Sequence, residues 1–334
     1  MKLLFIFTGG TIGSTAHRGT ISTDTKKPYI LLETYRAIHG LDMEYDVKEP
    51  YTALSENNTG TTLRLLMESV ACYVNAGYDG IVITHGTDTL QYSAAALSYA
   101  FADTKIPICL VSSNYPIEKK QANGIPNLRG AIRFISEVGT PGVWVPYQNK
   151  NEPLRIHRGT RLQASSAFSD RVESVFDSYY GEFCGEKPFA RNEKYAELDD
   201  TLPPFGALPL PESCREILVV EPYPGKVYPP IAESVRYILH ASYHSGTINA
   251  ESAETARFFA EARMRGIPAF LLGTTDGAAY DSTKVFSKLG LAPLCNIAPI
   301  AAFVKLWFFA SASPTGSITA KDLLSPLAGD IIPS

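Results

Sequence analysis

Short apolar runs alternate with stretches whose apolar residues recur every three or four positions, and this alternation predicts a series of strand–helix units. Residues 3–7 form the first apolar run. Residues 33–39 carry a helical pattern, and Leu63, Leu66, Met67, Val70 and Val74 trace one face of a further helix. Residues 80–83 read as a second buried strand, 90–101 as the helix after it, and 106–111 as a third strand. A helix over 128–136 and a fourth strand over 143–147 complete this series. Strands that are apolar throughout and separated by helices belong to a parallel sheet covered on both faces.

The pattern breaks between residues 179 and 211, a stretch rich in Gly, Pro and charge that reads as an ordered crossing or a linker. A second α/β series begins at 217–220 and continues through 235–239, a helix over 253–265, a strand over 269–272 and a helical run over 301–309. No internal repeat or low-complexity tract is visible. At 334 residues the chain exceeds one ordinary core and fits two domains. The expected division is an N-terminal α/β domain over 1–190, a linker over 191–212 and a smaller C-terminal α/β domain over 213–334.

Composition narrows the function classes. The hydrophobic fraction is 45%, the charged fraction 19% and the formal net charge −4, with no basic run, so a nucleic-acid surface is unsupported. The opening apolar run is too short for a signal-peptide core, and no stretch approaches the length of a membrane span. The five cysteines, Cys72, Cys109, Cys184, Cys214 and Cys295, are scattered and contain no CxxC pair. Reduced thiols in a cytoplasmic protein are the simplest reading.

In open parallel sheets ligands sit beyond the carboxyl ends of the strands, which directs attention to the loops TGGTIGS (8–14), THGTDTL (84–90), SSNYPIE (112–118) and HASYHSGT (240–247). In the first, Gly9 and Gly10 permit positive φ and close approach of a substrate to the backbone, and Thr11 presents a hydroxyl to the crevice. A plain turn or a phosphate cradle are the alternatives, although the run lacks the lysine of a P-loop and does not match GxGxxG. In the second loop Thr87 and Asp88 place a hydroxyl beside a carboxylate. Asp88 would also serve as the N-cap of the following helix. Two hydroxyl-bearing loops facing one another, one beside a carboxylate, suit acyl transfer.

TGGTIGS and ITHGTDTL together resemble the two signature motifs of the bacterial L-asparaginase and asparaginase/glutaminase family. The likeness extends to Leu54-Ser55-Glu56-Asn57-Asn58, to the helix expected over 127–135, and to LHASYHSGTIN and IPAFLLGTTDGAAY in the second half. It therefore covers nearly the whole chain. The resemblance implies a two-domain α/β fold and hydrolysis of the side-chain amide of asparagine, sometimes glutamine, through an acyl-threonine without metal or cofactor. Position by position, Thr11 is similar to the primary nucleophile, and Thr87 and Asp88 to members of a second triad. Asp88 also resembles the holder of the α-amino group. Ser55, with Glu56 beside it, is similar to the binder of the α-carboxylate, and Gly10 and Gly86 would let backbone amides approach the ligand. A homodimer or homotetramer acting on a small amino acid is implied in the same way.

The pattern departs from the family at two places. The family's triad lysine is expected shortly after Arg158-Gly159, where Ala164 stands, and no lysine occurs between Lys150 and Lys187. The tyrosine of the loop after the first motif is replaced by Thr20 in Gly19-Thr20-Ile21. In the second half Thr247 stands where the family pattern has a polar residue reaching a neighbouring subunit's site. Arg161 cannot stand in as a base, because guanidinium stays protonated. Positioned proton transfer contributes ~10²–10⁴ in rate, about 3–5 kcal/mol of barrier. An asparaginase-like amidohydrolase and a homologue that binds aspartate or asparagine without efficient turnover therefore both remain open. His17 has a suitable pKa range for a base but is also an ordinary loop histidine. His85 is expected to be structural. His240 and His244 would suit a metal only within one helix, whereas the stretch reads as a strand entering a turn.

Overall fold

The computed structural model describes residues 1–9, 14–17, 20–23, 27–40, 43–276 and 280–334, with residues 14–17, 20–23, 27–29 and 281–282 described in their backbone alone. Its strands begin with β1 (Lys2–Phe7), a short hairpin β2 (Ser14–His17) and β3 (Thr20–Thr23), and β4 (Glu44–Lys48). They continue with β5 (Gly80–Thr84), β6 (Pro107–Val111), β7 (Gly142–Gln148), β8 (Leu154–Arg158), β9 (Gly181–Phe183) and β10 (Ala190–Arg191). The helices of this part are α1 (Lys27–His39), α2 (Gly60–Tyr73), α3 (Leu90–Ala100) and α4 (Gly124–Arg133).

Eight of these strands form one sheet in the order β10-β9-β8-β7-β6-β5-β1-β4. From β4 to β7 the neighbours are parallel, and β8, β9 and β10 then run antiparallel, each to the one before. Alternation along β1 explains why its run is apolar throughout. Leu4 and Ile6 pack with α2 and α3, whereas Leu3, Phe5 and Phe7 pack with α1 and α4. The expected parallel sheet with helices on both faces is thus present, extended by an antiparallel edge. That edge includes β9 and β10, inside the stretch read from the sequence as a crossing or linker. β4 also escaped the sequence reading. Its Glu-Tyr-Asp-Val-Lys alternates because, as the edge strand, it buries one face in part. The helix expected over 128–136 is α4, which starts earlier and passes into a π-turn over Phe134–Val138 closed by Gly139 at φ 65°.

The second half holds a four-stranded parallel sheet, ordered β11 (Ile217–Val220), β12 (Tyr237–His240), β13 (Ala269–Thr274) and β14 (Leu291–Cys295). Around it lie α5 (Ala253–Met264), α6 (Phe286–Leu289), α7 (Pro299–Ala312) and α8 (Ala320–Leu323). One face, carrying Ile238 and Leu271, packs with Phe258 and Phe259 of α5. The other, carrying Leu239, Phe270 and Leu272, shares a core with α7 and with α3 of the large sheet. The apolar Leu306–Phe309 run of α7 is therefore a core element: Leu306, Trp307 and Phe308 are buried where the two sheets meet.

Candidate active site

Three loops converge at the carboxyl ends of β1 and β5. The strands are neighbours, with Phe7 opposite Thr84. The Thr8 hydroxyl donates to the Thr84 carbonyl at 2.6 Å, which ties the entry of the first motif to the entry of the second. On the other side of β1, Ala53 N–H donates to the Thr8 carbonyl at 3.0 Å, and Gly9 pairs with Ala53 in a parallel bridge. Gly9 has φ +95°, and a Cβ there would stand 2.5 Å from the Ala53 carbonyl oxygen. The close approach expected for a substrate at this glycine is therefore made by the protein's own chain, and it brings the 53–58 segment alongside. Gly10 and Thr11 follow directly and lie outside the described residues, as does Gly19. His17 is on β2 and Thr20 on β3, so the expected loop after the first motif contains a hairpin.

Ser55 opens a single 3-10 turn and is buried. Its hydroxyl lies 3.3 Å from the Asp88 carboxylate and accepts the Asp88 backbone N–H at 3.2 Å. The Thr89 hydroxyl donates to the Ser55 carbonyl at 2.9 Å and accepts from Asn58 Nδ2 at 3.0 Å. These bonds bridge the two loops and hold Asp88 at the crevice edge. Asp88 does not cap α3: the residue before that helix is Thr89, and no side chain caps it. The Asp88 carboxylate is exposed and available to a ligand. Glu56 is also exposed and takes no part in the Ser55–Asp88 bonds.

His85 supports this arrangement from below. It is buried, with Nδ1 at 2.7 Å from the Gly86 carbonyl and Nε2 at 2.8 Å from the Ser93 hydroxyl and 3.3 Å from Asn58 Nδ2. A carbonyl on one nitrogen and an amide donor on the other assign the proton to Nδ1. Burial lowers its pKa and keeps the ring neutral. Its role is structural, as expected, and it occupies the Gly86 carbonyl. Asn58, Thr89 and Thr8 are the members of this network that sequence reasoning missed. Each adjoins a residue it singled out, but their hydrogen bonds span 31 to 76 residues.

Beyond Thr87 and Asp88 the crevice opens into a cavity of about 390 Å³, roofed by residues 165–172 and floored by Tyr147. Ala164 is exposed at the start of that roof. Gln163 N–H donates to the Glu173 carbonyl at 2.9 Å, and Leu162 bridges Ser174, so the roof is a closed loop. Gln91 Nε2 donates to the Ser165 hydroxyl and the Asp88 carbonyl, at 3.2 and 3.3 Å. The Tyr147 hydroxyl donates to the Asp170 carbonyl at 2.8 Å, and burial pushes its pKa up to about 12, so it stays protonated. Arg171 is the cation of this lining; it holds no lysine or histidine among the described residues. Arg161 points elsewhere. It is fully buried, donates to the carbonyls of Gly329 and Ala196 at 2.7 and 2.6 Å, and stacks on Tyr195.

The remaining candidates lie apart from this crevice. His240 ends β12 and His244 lies in the following turn, so the two share no helix. The Thr247 hydroxyl pairs with Ser245 at 2.9 Å. Among the described residues no group of three or more His, Cys, Asp or Glu side chains is placed to hold a metal, and no helix is long and apolar enough to cross a membrane.

A family profile described as Asparaginase, N-terminal, matches residues 2–193, more than half of the chain. The chain belongs to the asparaginase family. One subunit of the Glutamyl-tRNA(Gln) amidotransferase of Pyrobaculum aerophilum is 28% identical over 229 residues, covering 67% of this chain and 53% of that protein. The L-asparaginase of Thermococcus kodakarensis is 34% identical over 168 residues, covering 48% of this chain and 47% of that protein. The chain thus spans about half the length of these curated relatives. In overall fold it is similar to the solved thermostable L-asparaginase of Thermococcus kodakarensis, with a TM-score of 0.79 at 23% identity over 100% of both chains. The L-asparaginase I of Vibrio cholerae superposes with a TM-score of 0.77 at 20% identity, over 99% of this chain and 98% of that one. The asparaginase fold is therefore established.

Proposed function

We propose that this chain hydrolyses the side-chain amide of L-asparagine or glutamine, releasing the acid and ammonia through a threonine nucleophile. Thr11 attacks the amide carbon with Thr87 as a member of the second triad, Asp88 holds the α-amino group, Ser55 with Glu56 beside it holds the α-carboxylate, and Gly10 and Gly86 let backbone amides approach the ligand. The observation that carries this reading is the Ser55–Asp88–Thr89–Asn58 network, which holds an exposed carboxylate and the Thr87 loop beside the end of β1. Backbone amides near Thr87 would bind the oxyanion, a contribution worth about 3–4 kcal/mol per donor in well-studied hydrolases.

Ammonia release from L-asparagine tests it. The wild-type chain turns over, and Thr11→Ala and Thr87→Val lower the rate by at least ~10²; undiminished release by both variants contradicts the assignment. A second reading is favoured by the lining beside Thr87, which has Arg171 but no lysine or histidine among the described residues. On that reading the chain binds aspartate or asparagine without efficient turnover. Calorimetric binding with no product after long incubation would select it. Assembly as a homodimer or homotetramer belongs to the proposal too, supported by the exposed Val219, Tyr223 and Val227 on and after the edge strand β11.

A further inference from the structure

The crevice does not end at the size of an amino acid. The cavity beside Thr87 and Asp88 abuts a second one of about 890 Å³, and Phe168, Ser169, Asp170 and Arg171 line both. Cavities of about 300–1,000 Å³ accommodate drug-sized ligands, so the first alone is ample for asparagine and the second is surplus to it. Ser55, although bonded to Asp88, lines neither cavity. The extra space therefore opens from the cavity that Thr87 and Asp88 line, and the proposed function puts the reacting amide at Thr87.

The chemistry of the second cavity is specific. Its walls carry Asn114, Gln121, Asn123 and Asn151; Asn123 Nδ2 donates to the Gln148 carbonyl at 3.0 Å, whereas the carboxamides of Gln121 and Asn151 can both donate and accept, as ligand hydroxyls require. Asn114 and Asn123 brace each other: each side-chain oxygen accepts the other's backbone N–H, at 3.1 and 2.9 Å, so that wall is fixed. Gln121, Lys150 and Asn151 make no hydrogen bond or ion pair among the described residues and are left to a ligand. The Arg171 charge is met by Glu152 and Glu173, and the two other formal charges of the lining, Lys150 and Asp170, are of opposite sign, so the lining with those two glutamates carries no net positive charge by formal count. Phe168 adopts φ 63°, an uncommon conformation for an aromatic residue, and its ring stands fully exposed at the junction of the two cavities.

We propose that the substrate is an asparagine side-chain amide whose nitrogen carries a neutral, hydroxyl-rich substituent of sugar size, seated in the second cavity against Phe168, Gln121 and Asn151. This rests on the proposed function. The Thr11 hydroxyl adds to the amide carbon and the carbon–nitrogen bond breaks. The amine departs with the hydroxyl proton. Water then cleaves the threonyl ester, leaving the carboxylic acid and restoring the hydroxyl. One water is consumed, and the leaving group is an amino sugar rather than ammonia.

The test compares L-asparagine, asparagine bearing a glucosyl group on its side-chain nitrogen, and the same amide bearing a hexyl chain, with the full-length chain and product detection by chromatography. The glucosyl conjugate is expected to have a kcat/KM at least tenfold above that of L-asparagine, with the hexyl amide below the conjugate. The double variant Gln121→Ala/Asn151→Ala is expected to reduce the conjugate-to-asparagine ratio about tenfold. Turnover of L-asparagine at equal or higher kcat/KM overturns the inference and leaves the proposed function standing; equal preference for the hexyl amide overturns it likewise. If no compound is turned over, calorimetry decides: tenfold tighter binding of the conjugate than of L-asparagine supports the cavity assignment, and equal or weaker binding overturns it.

Discussion

His157 sits on β8 with Nδ1 at 2.8 Å from the Ser174 hydroxyl and Nε2 without a partner among the described residues. Burial, helped by the Arg155 charge, pulls its pKa from 6.5 to about 3, so the folded protein holds it neutral. The unfolded chain binds a proton below pH 6.5 that the folded chain refuses until about pH 3. Its contribution to stability is therefore complete above pH 6.5 and is lost progressively as the pH falls across that window, at up to about 1.4 kcal/mol per unit. Chemical denaturation at several pH values is expected to show a shallower acid-side loss for His157→Gln than for the wild-type chain; identical slopes would contradict this. The sequence marks no such residue, because a neutral buried histidine differs from a solvated one only through its surroundings. The same holds for Asn58 and Thr89. Thr87 and Asp88 stand out in the sequence because a strand-end loop there sets a hydroxyl beside a carboxylate, although such a carboxylate also suits a helix N-cap.

Among the elements, the strands of the large sheet that sequence periodicity found are buried on two sides, whereas α2 shows one apolar face. β1, β5, β6 and β7 are apolar throughout because helices cover both faces, and α7 is apolar all round because α3 and the small sheet enclose it. α3 reads as a long apolar stretch for the same reason, and its small residues Ala94, Ala95 and Ala96 are buried. The elements that were missed include β8 and β14, of five residues each, and others that have one dry face or little length. β4 alternates at the sheet edge, β9 and β10 hold three and two residues, and the β2–β3 hairpin is made of polar residues. Their existence depends on a neighbouring strand offering hydrogen bonds, which composition cannot report. The antiparallel run from β8 to β10 has a consequence for the site. It follows β7 out to the edge that carries the 163–172 roof, so the crevice beside Thr87 is walled by elements the motifs do not mention.

At the scale of the whole molecule the C-terminal segment joins the two sheets. Arg158 and Thr160 donate to the Ala328 carbonyl at 3.0 and 2.9 Å, and Arg161 donates to Gly329. Asp330 is fully buried; it meets Lys305 of α7 at 2.7 Å and accepts from Tyr99 of α3 at 3.0 Å. Breaking a buried pair by removing one partner costs about 3–5 kcal/mol, because the other charge is stranded. Lys305→Met is therefore expected to lower stability by that amount in urea unfolding, with part of the loss recovered in Lys305→Met/Asp330→Leu; a loss below ~1 kcal/mol would contradict the pair's role. The crevice is likewise an assembly of distant parts, since Ser55, Thr87, Asp88 and the 165–172 roof meet only when the whole sheet is formed. Calorimetric titration with L-aspartate tests that assembly most directly, whether or not the chain turns substrate over. Saturable 1:1 binding by the wild-type chain, weakened at least tenfold in both Ser55→Ala and Asp88→Ala, is the result this account requires. No binding to the wild-type chain, or affinity unchanged in both variants, would contradict it.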